Sequence, residues 1–166
     1  MKEFPQRKPN RLKDYDYSHD GAYFVTICAK DRENLFGTVI VGAAICRPCS
    51  SLYVELSDIG YTIDVAINNI PRKYPLVFMD TYIIMPNHVH LILVIDNLRS
   101  AQFHRQVADN GRQVAAPTTV QKIIGHMKRF VSMQCGYSVW QKSFHDHVIR
   151  NEEEYQKIWE TDKYHV

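Results

Sequence analysis

Two β-forming runs with only two residues between them constrain this chain most. Residues 76–85, Leu-Val-Phe-Met-Asp-Thr-Tyr-Ile-Ile-Met, and 88–95, His-Val-His-Leu-Ile-Leu-Val-Ile, flank Pro86-Asn87. So short a connection joins antiparallel neighbours. The other elements fall in order around this hairpin. Residues 22–30 are rich in β-formers and predict a strand. Residues 38–56 predict a hairpin or loop broken at Pro48 and Cys49. Ile59, Ile63, Ile67 and Ile70 share one helical stripe, with Ser57 as N-cap and Pro71 as the stop. A second helix is expected from Thr118, with Val120, Ile123, Ile124, Met127 and Val131 as its apolar stripe. Residues 138–149 can extend as a strand, and Asn151 caps a last helix with Glu154 at the capping-box position.

Strand, helix, strand, strand, helix, strand, helix is the α+β, ferredoxin-like βαββαβ pattern with an antiparallel sheet. A C-terminal helix and an N-terminal arm are added to it. The 166 residues are expected to form a single domain. Residues 1–20 lack periodicity and read as a basic arm. Residues 96–117, polar and interrupted by Gly111, read as a flexible loop or insertion.

Hydrophobic residues make up 45% and charged residues 23%, a balance that supplies a core and argues against disorder. No apolar run reaches the roughly 18 residues of a membrane span, and the polar, basic start has no apolar signal region. A cytoplasmic protein without membrane contact is the expectation. The net charge of +2 says little, but its distribution says more. Lys2, Arg7, Lys8, Arg11 and Lys13 stand against Glu3 alone in the first 13 residues, and Lys122, Lys128, Arg129, Lys142 and Arg150 form a second basic group. Basic clusters beside aromatics suit a phosphate backbone, and solubilising charges are the plain alternative. Cys46-Arg-Pro-Cys49 is a CxxC pair without a clear second pair, which favours two unrelated thiols over a zinc site.

The chemistry centres on Met85-Pro86-Asn87-His88-Val89-His90-Leu91. On a strand, residues i and i+2 share a face, so His88 and His90 aim together, roughly 7 Å apart along the chain. Two such imidazoles hold a metal ion when a third ligand arrives from another element; two surface histidines are the alternative. Phe144-His145-Asp146-His147 contains a second such pair. It approaches the first if segment 138–149 neighbours 88–95, which makes His147 a candidate ligand or phosphate contact. A histidine hydrogen-bonded at the sheet edge is its alternative. His126, Lys128 and Arg129 are candidate phosphate contacts. Tyr137 and Trp140 are candidate base-stacking residues, with core packing favoured for Trp140.

His88-Val89-His90 has the form of the HUH motif, and the string MPNHVHLI around it resembles that of the REP-associated tyrosine transposases, relatives of the single-tyrosine HUH transposases. The opening RKPNRLKDYDYSHDGAYFVTICAKDRENLFG and the late FHDHVIRNEEEYQKIWE resemble the same family, in order, over most of the chain. The resemblance implies a ferredoxin-like core with both histidines on a central strand and a Mg²⁺ or Mn²⁺ ion. It also implies a helix-borne tyrosine that attacks single-stranded DNA beside a hairpin, leaving a 5′-phosphotyrosyl link and a 3′-hydroxyl. Single-stranded or hairpin DNA is the implied partner, and a homodimer is compatible with it. The late block points to His147, and Lys122, Lys128, Arg129 and Arg150 of the second basic group are the expected DNA contacts. Helix residues supply the third ligand in relatives, which makes Gln156 and His165 weaker candidates.

The chain departs from the family at its last helix. The family reads roughly Trp-Glu-Tyr-Ile-x-x-Asn-Pro, with that tyrosine as nucleophile. Here the order is Trp159-Glu160-Thr161-Asp162-Lys163-Tyr164-His165-Val166. Thr161 takes the tyrosine's place, as an internal deletion would leave it, which implies impaired catalysis. Tyr164, one helical turn on, is the candidate substitute nucleophile, and Tyr155 lies two turns before that place. The alternatives are a hairpin-binding module that does not cut, or an inactive remnant.

Overall fold

The computed structural model describes residues 16–42, 51–96 and 118–163, and of residues 41–42, 51–52 and 161–163 the backbone only. The arm up to residue 15, the segment 97–117, Cys46, Cys49, the Thr161 side chain, Tyr164 and His165 lie outside the described residues.

Six strands and four α-helices follow one another along the described chain. They are β1 (Gly21–Cys28), β2 (Gly37–Gly42), β3 (Ser51–Leu56), α1 (Asp58–Asn68), α2 (Ile70–Lys73), β4 (Val77–Met85), β5 (His88–Ile95), α3 (Val120–Cys135), β6 (His145–Ile149) and α4 (Glu152–Lys163). The main sheet has the order β4-β5-β1-β6, with every pairing antiparallel, and β2 and β3 form a separate two-stranded ribbon. The α+β ferredoxin-like sandwich is therefore the observed fold, with the ribbon inserted between β1 and α1 and with α4 added at the end.

Alternation along the strands sets the two faces of the sheet. Tyr23, Val25 and Ile27 of β1 and Val89, Leu91 and Leu93 of β5 are wholly buried. They join Ile63 and Ile67 of α1 and Ile123, Ile124 and Val131 of α3 in one core cluster. α1 and α3 thus cover one face of the sheet, each by its apolar stripe. Residues directly opposite in an antiparallel ladder share a face. Cys28 faces His88, Thr26 faces His90 and Phe24 faces Ile92, so these six residues lie on the face turned away from α1 and α3.

The helix caps follow the sequence. Ser57 Oγ accepts from Gly60 N at 3.1 Å and donates to Leu35 O at 2.6 Å. Thr119 Oγ1 accepts from Lys122 N at 3.3 Å. Asn151 Oδ1 accepts from Glu154 N at 2.8 Å, and the Glu154 carboxylate returns to Arg150 N at 2.9 Å. Two expectations are corrected. Pro71 does not stop the first helix: α1 ends at Asn68, and Pro71 sits in the first turn of α2, where its missing N–H costs nothing. The strand expected over 138–149 forms only at His145–Ile149. Upstream of it, Trp140 makes a lone bridge to Ala29, and the Gln141 and Ser143 carbonyls accept from Lys128 Nζ at 2.7 and 3.2 Å instead of joining the ladder. Among the described residues no helix is long and apolar enough to cross a membrane.

Candidate functional site: the histidine pair on β5

β5 is an interior strand, bonded to β4 on one side and β1 on the other, so its backbone is fixed along its length. Val89 and Leu91 anchor it in the core, and the alternation turns His88 and His90 to the opposite face. The two rings stand edge to face, with centroids 4.6 Å apart and planes at 84°. Each Nδ1 has a defined neighbour. His88 Nδ1 lies 2.7 Å from Asn87 Oδ1, and because an amide oxygen only accepts, Nδ1 is the donor in this contact. His90 Nδ1 lies 3.0 Å from Thr26 Oγ1, and the Phe24 ring stacks on it with centroids 5.2 Å apart and planes 7° apart. Such outer contacts fix ring orientation at metal-binding histidines.

α4 lies over this face. Glu154 Oε1 pairs with His147 Nε2 of β6 at 2.7 Å, and the Tyr155 hydroxyl donates to Asp80 Oδ2 of β4. These contacts tie the helix to both edge strands of the sheet, across β1 and β5. Ile92, on the same face, is wholly buried yet stands outside the main core cluster, as a residue beneath α4 would be.

The remaining candidates divide sharply by position. β6 does not neighbour β5: β1 lies between them, so His145 and His147 stand two strand spacings, about 10 Å, from the β5 pair. Among the described residues no third His, Cys, Asp or Glu groups with His88 and His90. Gln156 Nε2 donates to Glu152 Oε1 at 2.7 Å, within its own helix. Trp140 packs on Phe36 in the core, with centroids 4.9 Å apart, as the favoured core-packing reading expects; Tyr137 is exposed. Lys122, His126 and Arg129 are exposed on α3, on the other side of the sheet from His88 and His90. Lys128 is half-buried and spends its ammonium on the carbonyls of Gln141 and Ser143, and removal from water lowers its pKa. Arg150 is exposed beside Glu154, at the end of β6.

Sequence reasoning missed Thr26, Phe24 and Asp80. The roles of Thr26 and Phe24 come from strand register and that of Asp80 from a contact with Tyr155 of α4, neither of which a local pattern encodes. Asn87 had a signal, since it directly precedes His88 in the turn.

No family model matches this chain. A protein of Haemophilus influenzae, described as uncharacterized, is 32% identical over 162 residues, which cover 93% of this chain and 84% of that protein. The chain belongs to that protein's family. Among solved structures, a REP-associated tyrosine transposase bound to a REP hairpin matches with a TM-score of 0.53 at 17% identity, over 95% of this chain and 68% of that one. The fold is thus that of a REP-associated tyrosine transposase. In this transposase-like fold His88 and His90 occupy the interior strand β5, and α4 crosses the face they line.

Proposed function

We propose that this protein is a transposase-like, DNA-binding protein acting on single-stranded, hairpin-forming DNA, with Mg²⁺ or Mn²⁺ held by His88 and His90. The observation that carries the reading is the pair of imidazoles on one face of β5, their rings 4.6 Å apart and both Nδ1 atoms engaged. Two nitrogen ligands suit an ion that completes its shell with water and phosphate oxygens, not a closed tetrahedral structural site. When bound, such an ion polarises the scissile phosphate and stabilises developing charge. The chain's own part is orientation: Asn87 holds the ring of His88, Thr26 and Phe24 hold the plane of His90, and α4 brings its residues over the site.

A non-cleaving hairpin-binding module is the second reading, and one observation favours it. Tyr155, the tyrosine described on α4, donates a hydrogen bond to Asp80 and has its pKa pushed up to about 12, the opposite of an activated nucleophile. On the first reading the nucleophile would be Tyr164, three residues after Thr161 in the sequence.

The test joins metal and DNA. Mn²⁺ binding followed by calorimetry should weaken at least tenfold in His88→Ala and in His90→Ala, on the scale known for disrupted metal shells. With hairpin-bearing single-stranded DNA and Mn²⁺, a covalent adduct on a denaturing gel assigns cleavage, and its loss in Tyr164→Phe assigns the nucleophile. Salt-sensitive retention without an adduct assigns the binding module. Mn²⁺ affinity unchanged in both histidine variants, or no retention of hairpin DNA at low salt, overturns the reading.

A further inference from the structure

On the face away from His88 and His90, a groove of about 220 Å³ opens between α1–α2 and α3. Its floor is apolar, formed by Ala66, Ile70, Ile123 and Met127. Tyr74 and His126 stack along it with centroids 6.1 Å apart and planes 17° apart, and the phenol and imidazole are hydrogen-bonded. Phe130 also lines the groove with 42% of its surface exposed.

The rim is cationic. Lys73 Nζ lies 5.9 Å from the centre of the Tyr74 ring. Lys122 and Arg129 flank His126 one turn to either side on α3. The charges of Lys73, Lys122 and Arg129 all bear on the His126 imidazole. Neither residues 65–79 nor residues 118–144 contain a single Asp or Glu. Among the described residues none of these three cations is in an ion pair.

Flat rings, an apolar floor and a cationic rim with no ion pair among the described residues fit a planar aromatic group that carries an anion. The volume falls below the roughly 300–1,000 Å³ of pockets for drug-sized ligands, which favours one ring system over an extended peptide. The geometry points to a nucleotide-binding groove here, with a base against Tyr74 and Phe130 and its phosphate among Lys73, His126 and Arg129. The same chemistry is met by a free nucleotide or by one nucleotide of a strand. This inference does not rest on the histidine pair of β5.

The full chain is titrated with adenosine monophosphate, adenosine, orthophosphate and a short single-stranded oligonucleotide, while amide and His126 ring signals are followed by NMR. Saturable shifts confined to α2 and α3 are expected. Shifts with the monophosphate assign a free nucleotide; shifts with the oligonucleotide alone assign a strand. Lys73→Glu combined with Arg129→Glu should weaken binding at least tenfold. Phe130→Ala should weaken nucleotide binding and leave orthophosphate binding as it was. The pair His88→Ala and His90→Ala should bind as the natural protein does, which separates this groove from the metal reading. Orthophosphate binding as tightly as the monophosphate, no saturable shift with any of the four, or undiminished affinity in the double charge reversal overturns the inference.

Discussion

Tyr155 is set as a hydrogen-bond donor. Its bond to Asp80 is the largest reason its pKa rises to about 12, with partial burial and the charges of Asp80 and Glu152 adding to it. The raised value favours the protonated fold. This contribution is complete below about pH 10, where free tyrosine titrates, and is lost as pH rises through about 12. Asp80→Asn should therefore move one phenol back toward 10, read by alkaline difference absorbance against the natural protein. Tyr155→Phe should weaken the docking of α4 by about 1 kcal/mol, read by denaturant unfolding. An unmoved phenolate titration in Asp80→Asn would show that the two side chains are not coupled. The role of Tyr155 was hidden in sequence because its partner lies 75 residues away. The helix itself was legible from Asn151 and Glu154, while Asp80 reads locally as one acid in an apolar strand.

Among the elements, α1 is held by its first turn. Gly60 sits where any Cβ would meet Phe36 O at 2.1 Å and Leu56 Cβ at 3.1 Å. Ser57 bonds to Leu35 O in the same place, so the helix start is pressed against the end of the ribbon. Gly60→Ala gains helix propensity but must push backbone aside, and the steric term dominates: a loss of about 3 kcal/mol is expected in chemical denaturation. Stability equal to or above that of the natural protein would mean that this contact relaxes cheaply. The helices were readable because stripe and cap agree, as in Ser57 with Ile63 and Ile67. The strand at 138–149 was not, because β-formers such as Val139 and Trp140 serve the core through a bridge and a loop. Lys128, which reads in sequence as one more surface cation, donates to two carbonyls of this loop.

At the scale of the molecule, the sheet divides the protein into two chemically distinct sides. The histidine pair was legible from two-residue alternation, but the side on which the basic helix stands was not. Lys122 and Arg129 are readable as exposed cations, but helix periodicity tells which residues are exposed and not which layer they top, and the sheet stands between them and the histidines. The helical side collects cations, and His126 records their effect. Partial removal from water lowers its pKa first, followed by the charges of Lys73, Lys122 and Arg129. Above about pH 6.5 the imidazole is neutral in both folded and unfolded chains, so it leaves stability unaffected. Below that value the unfolded chain takes up the proton first, and the fold loses stability until the lowered folded pKa is passed. Thermal midpoints measured from pH 7 to pH 5 should therefore fall less steeply in His126→Gln. Salt should narrow the difference between the two proteins, because a Debye length of about 8 Å at physiological ionic strength screens these exposed charges. A phosphate seated on this rim should reverse the trend by stabilising the protonated ring, so that nucleotide binding tightens as pH falls. Parallel midpoint curves for the two proteins would mean that the three cations do not crowd His126, and the rim would lose its claim on an anion.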